Sequence, residues 1–184
     1  MELSTNEDYQ ALLGRISQAY QEGRQQSYRS INTQIIKTYW QIGHDIVEYE
    51  QQGEARAAYG KALLENLSSD LNQLLGRGFS RSNLVYMRLL YVHYPKSETL
   101  SDLLSWSHYI ELLKIDDALE RSFYEKQAII ERWSVAELKR QRDSALFLRL
   151  AMGRDKESIL KLASEGPILA RGSDTGQMIA QLSG

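Results

Sequence analysis

Leu63, Leu67, Leu71 and Leu74 recur at steps of four and three residues, with Leu64 and Leu75 widening the same apolar stripe. Such a pattern fits one face of a helix and no strand, which would need alternation at period two. The next residues, Gly76-Arg77-Gly78-Phe79, are too rich in glycine to extend that helix and too few for anything but a sharp reversal. Ser80 then supplies an N-cap hydroxyl, and a second helix is predicted from Arg81 to about Tyr94, where Pro95 stops it. Two helices held at a tight corner over 59–94 dictate much of what can pack around them.

The rest of the chain suits the same class. Only two prolines, Pro95 and Pro167, occur in 184 residues, so long helices are permitted. One amphipathic helix is predicted from Asp8 to about Glu22, with Leu12, Ile16 and Tyr20 on one side. A longer one runs from near Tyr28 to Gln51, with Ile31, Ile35, Tyr39, Ile42, Ile46 and Tyr49 as its apolar stripe. That stripe, with Trp40, is expected to be core, although its breadth also suits a dimer interface.

Further helices are predicted at 105–115, from Asp116-Asp117 to Arg132, and from Ser134, with Glu137 completing a capping box, to about Arg149. A short helix at 156–163 precedes a tail of small and polar residues beyond Gly166. The expected fold is all-α, a multi-helix domain over 1–155 containing a helix-turn-helix at 59–94, with 156–184 as a short helix and loose tail.

Several function classes fall away on composition. The chain has no cysteine, which removes disulfides, thiolate nucleophiles and cysteine-ligated zinc. No segment approaches the about 20 apolar residues that span a bilayer, and Glu2, Glu7 and Asp8 do not suit a signal peptide. No membrane contact and a cytoplasmic location are therefore expected. His44, His93 and His108 show neither triad nor zinc spacing. Glu137-Leu138-Lys139 spells the E-x-K of a metal-dependent nuclease, but in a capped helix rather than on the strand pair that this chemistry uses. No catalysis, metal or cofactor is expected from these residues.

Charge is unevenly spread. The net charge is −2, yet from Leu71 to Ser97 there is no Asp or Glu, only Arg77, Arg81, Arg88 and Lys96. A tight helix pair whose second member opens Ser80-Arg81-Ser82-Asn83 is the pattern of a DNA-reading helix. Arginine can bond guanine, asparagine adenine, and either can hold phosphate. Ser80, Ser82 and the open amides at the helix start suit a phosphate oxygen, and Arg77 in the turn suits the backbone. The candidate DNA-binding set is thus Arg77, Ser80, Arg81, Ser82, Asn83 and Arg88. Phe79 is expected to staple the turn to the core, and Arg132, Lys139, Arg140, Arg142 and Arg149 to form a solvated face.

The run "YWQIGHDIVEYEQQGEARAAYGKALLENLSSDLNQLLGRGFSRSNLVYMRLLY", followed by "LSWSHYIELLKI" and "WSVAELKRQRDSALFLRLA", resembles the N-terminal domain of the YhcG-like family over roughly residues 8–160. Gly76, Arg77, Gly78, Phe79, Ser80, Arg81, Asn83, Tyr86, Met87 and Arg88 match the turn and second helix, and Trp106, Ser107 and His108 match that family's "WSHY" corner. The resemblance implies a helical DNA-binding module which longer members join to a C-terminal nuclease domain of the PD-(D/E)xK type. A looser similarity links Leu104-Ser105, His108, Leu112-Leu113, Ile129-Ile130, Ser134-Val135 and Glu137 to the helix-turn-helix region of ParB-like partition proteins, with the reading helix offset by one residue. The expectation is a DNA-targeting module without the nuclease half, homodimeric, served by a nuclease domain or partner subunit. The rival reading is a protein-interaction or regulatory subunit of a separately encoded nuclease.

Overall fold

A computed structural model describes residues 2–51 and 60–152. Among them are seven α-helices and no strand, so the fold is all-α as expected: α1 (Glu2–Gln51), α2 (Gly60–Leu75), α3 (Arg81–His93), α4 (Trp106–Leu112), α5 (Ala118–Ile130), α6 (Val135–Asp143) and α7 (Leu146–Ala151). The helix and tail expected after Asp155 lie outside the described residues. The chain divides into two compact units, 1–106 and 107–184.

In the first unit the two helices expected before residue 52 are one, 50 residues long. The join at Gly23 has no proline, and a single glycine costs only about 1 kcal/mol against alanine. Bonds one turn apart carry the helix through it: Gln18 Nε2 donates to Glu22 Oε1 at 2.8 Å and the Ser27 hydroxyl to the Gly23 carbonyl at 2.9 Å. Only the last third of α1 enters the core. Ile36, Gly43, Ile46 and Val47 are buried, whereas Ile31, Ile35 and Tyr49, expected as core, stand exposed. The buried face is rotated from the predicted stripe because α1 meets α3 along the side that carries Gly43.

That meeting is unusually close. A β-carbon built on Gly43 would overlap the carbonyl oxygen of Met87 and lie 2.7 Å from its carbonyl carbon. Ile46, Leu84 and Met87 form the centre of the core, with Tyr39, Ile42, Leu64, Leu67, Leu71, Phe79 and Trp106 packed around them. Trp40 closes the far end of α3, its indole Nε1 donating to the Tyr94 carbonyl at 2.6 Å.

The second unit is built on caps. Asp117 Oδ1 accepts from the Glu120 amide at 2.7 Å and starts α5, and buried Arg121 reaches back to the Ile115 carbonyl at 2.6 Å. Helix α5 stops at Ile130, two residues short of the expectation, because Arg132 turns left-handed (φ 52°) and Trp133 N–H closes on the Ala128 carbonyl. Ser134 caps α6 through the Glu137 amide at 3.2 Å. The Glu137 carboxylate turns forward to Arg140 and Gln141, leaving half of the expected capping box. The helix expected to run on to Arg149 breaks at Ala145 (φ 52°). That break lets the Phe147 amide donate to Tyr124 Oη at 3.2 Å, with the two rings of Phe123 and Phe147 5.4 Å apart.

Glu111 is a buried carboxylate. Burial alone would raise its pKa, but Lys114 Nζ at 2.6 Å and Arg142 Nη1 at 2.5 Å outweigh this and hold it below the ordinary carboxylate value. A carboxylate with a lowered folded pKa stabilises the fold above its unfolded value and loses that contribution as pH falls through the folded one. Thermal unfolding followed from pH 7 to pH 3 should therefore show the parent losing stability below about pH 4.5, and Glu111→Gln losing less across the same window.

The contact at Gly43 gives a second expectation. Gly43→Ala should lower stability by about 1–3 kcal/mol in chemical denaturation, since the methyl meets backbone that cannot move aside. Gly14→Ala, where nothing lies within 4 Å of an added β-carbon, should raise stability by up to about 1 kcal/mol through helix propensity alone.

Candidate nucleic-acid interface

Helices α2 and α3 are joined by residues 76–80, and each residue of the join has a physical task. Gly76 (φ 88°) and Gly78 (φ 133°) adopt backbone conformations that strain any L side chain. Asn72, which the sequence reading passed over, clamps the turn from α2: its Nδ2 donates to the Phe79 carbonyl at 3.2 Å and its Oδ1 accepts from the Phe79 amide at 3.4 Å. Phe79 packs against the core as expected. Ser80 caps α3, its Oγ accepting from the Asn83 amide at 3.2 Å.

The six predicted contact residues do not share one ridge. Arg77, Ser80, Arg81 and Ser82 are exposed around the turn and the first turn of α3. Asn83 faces inward. Its Nδ2 donates to the Gly78 carbonyl at 2.6 Å, and its Oδ1 accepts from Trp106 Nε1 at 2.9 Å. Both ends of the amide are used in holding the corner, leaving one N–H and one lone pair over. The Trp106 ring in turn meets Tyr39 of α1 edge-on at 4.9 Å. This link from α1 through Trp106 and Asn83 to the turn fixes where α3 begins.

Arg81 and Arg88 lie seven residues apart, nearly two full turns, on one side of α3. Both carry a carboxylate partner. Arg81 Nε donates to Glu65 Oε1 at 2.8 Å with both side chains more than half exposed (58% and 54%), and Arg88 Nε donates to Glu50 Oε2 at 2.7 Å in a more enclosed setting (37% and 24%). A pair as exposed as the first is worth about 0–1 kcal/mol, so Arg81 can exchange its carboxylate for another anion at small cost. Arg88 is held more firmly and braces α3 against α1. Arg77 has no ion-pair partner among the described residues. The first turn of α3 contains no acid.

Several of the remaining candidates have structural partners. His108 Nε2 lies 3.0 Å from the Trp133 carbonyl, which can only accept. Arg140 pairs with Glu137, and Arg142 with Glu111 and Asp143. Glu137 and Lys139 both lie on α6.

The chain belongs to the family described as the DUF1016 N-terminal domain, whose model matches residues 15–149. A curated relative is the Escherichia coli (strain K12) protein named "Putative nuclease YhcG". The two are 35% identical over an alignment covering 85% of this chain and 50% of that protein. The chain therefore spans about half the length of the relative. No solved structure matches it. None of the described helices is long and apolar enough to cross a membrane.

Removing the Asn83 amide leaves the Gly78 carbonyl and the Trp106 indole without their partners. Asn83→Ala should cost about 1–3 kcal/mol in denaturant unfolding and change the tryptophan emission of the folded state. Asn83→Asp keeps the acceptor for the indole and should cost less at neutral pH. Equal stability of all three proteins would show that the corner does not depend on this amide.

Proposed function

We propose that this chain is a DNA-targeting module acting in the cytoplasm, one that brings a nuclease domain or nuclease subunit to its substrate and has no catalytic role of its own. The observation that carries the reading is the open start of α3. Ser80, Arg81 and Ser82 are exposed beside Arg77, with no acid in the first turn, and a helix start of this kind favours an anion. Membership of a family whose relative bears the name "Putative nuclease YhcG" supports a nucleic acid as the target.

In this reading Arg77 and Ser80 seat the helix on the phosphate backbone. Ser82 adds a hydroxyl, and Arg81 leaves Glu65 to reach a phosphate or a guanine edge. Arg88 contributes after release from Glu50. Asn83 positions the helix rather than reading a base. Because two of the three arginines begin as ion pairs, one copy neutralises few phosphates and binds modestly.

A second reading has its own observation. Leu74 and Leu75, at the end of α2, are 77% and 67% exposed, an apolar step beside the turn that suits a protein surface. There the chain would dock onto, or restrain, a separately encoded nuclease.

Salt titration of duplex binding separates the two. On the DNA reading, Arg77→Ala and Arg81→Ala each lower affinity and each reduce the log–log salt slope by about 0.9, the loss of one phosphate contact. Glu65→Gln should raise affinity at low salt, because it frees Arg81. Binding that ignores salt, or is untouched by all three changes, overturns the DNA reading.

A further inference from the structure

Every described residue of α1 from Asn6 to Ile31 is exposed, yet this stretch is not uniformly polar. Tyr9, Leu12, Leu13, Ile16 and Tyr20 are between 44% and 70% exposed and recur at three and four residues, so they share one face of the helix. Gly23 continues that face one turn beyond Tyr20. A β-carbon there would meet nothing within 4 Å, so the glycine answers no packing need within the described chain, although it costs helix stability.

We infer that this face is the interface with a second copy of the chain, the two α1 helices running antiparallel across a two-fold axis at Ile16. The order of residues argues for that occupant and that direction. With Ile16 level with Ile16, Leu12 stands level with Tyr20 and the large Tyr9 with Gly23. Large side chain thus meets glycine at both ends of a self-complementary contact whose middle is apolar throughout. A parallel pair would instead put Tyr9 against Tyr9 and Gly23 against Gly23, crowding one end and leaving a gap at the other.

Charge favours the same direction. Residues 6–14 carry Glu7 and Asp8 and no base, a balance of −2. Residues 15–29 carry Arg15, Arg24 and Arg29 against Glu22, a balance of +2. The antiparallel pair sets Asp8 level with Arg24, whereas a parallel pair sets Asp8 beside Asp8 and Arg24 beside Arg24. The overlap from about residue 5 to residue 27 is roughly 33 Å of helix, at 1.5 Å per residue, and it leaves the core-forming end of α1 outside the contact.

The natural chain has no cysteine, so introduced thiols report the pairing without background. The full chain should sediment at twice 21.1 kDa at micromolar concentration. Leu12→Glu with Ile16→Glu should weaken the dimer at least about ten-fold while circular dichroism stays that of the parent. Under mild oxidation Ile16→Cys should cross-link to itself. Tyr9→Cys should not, but should cross-link when mixed with Gly23→Cys. A monomer at every concentration overturns the proposal, as does a dimer that survives both glutamates in folded form. Self-cross-linking of Tyr9→Cys without the mixed product overturns the antiparallel arrangement. Should the glutamates unfold the helix, the cysteine pattern decides alone.

Discussion

The backbone of α3 lies against the backbone of α1 because residue 43 has no side chain. Around that contact Ile46 fills in beside Leu84 and Met87, Trp40 bonds the last turn of α3 and Arg88 reaches Glu50. These three attachments are spread along nearly the whole of α3, so the helix cannot roll or slide without breaking one of them. The face it presents is set by what it has already committed on the other side. The exposed start of α3, central to the proposed function, is thus a product of the core.

The caps and the turn were legible because they obey rules of a few residues. Ser80, Asp117 and Ser134 each take the amide three residues on, as a hydroxyl or carboxylate in that position should, and the paired glycines of the turn both need positive φ. What escaped was decided at longer range. Asn83 reads in sequence as a polar residue free on a helix start, and nothing local shows that Trp106, 23 residues away, bonds to it. Gly43 gave no signal beyond being a glycine inside a helix. The break at Ala145 has no proline or glycine to mark it and follows from the demand of Phe147 for the second core.

Ion pairing tells a similar story about charge. The acid-free run from Leu71 to Ser97 looks like an unopposed basic surface, but Glu65 and Glu50, from outside the run, close on Arg81 and Arg88. A linear count sees formal charge, while a binding partner meets what is left after local neutralisation. The exposure of each pair then matters more than its existence, since a pair in water is cheaply exchanged and an enclosed one is not.

Helix α1 is one object in shape and two in energy. Amides beneath Ile36, Ile46 and Val47 open only when the first core opens. Those ahead of Ile31 are guarded by the hydrogen bonds of the helix, with no buried apolar face to add to them. Hydrogen exchange along this one element should therefore fall in a gradient toward its carboxyl end, steep where solvent gives way to packing. Whatever covers the amino-terminal stretch would flatten that gradient without altering a single contact of the core, so occupancy there becomes a quantity measurable residue by residue.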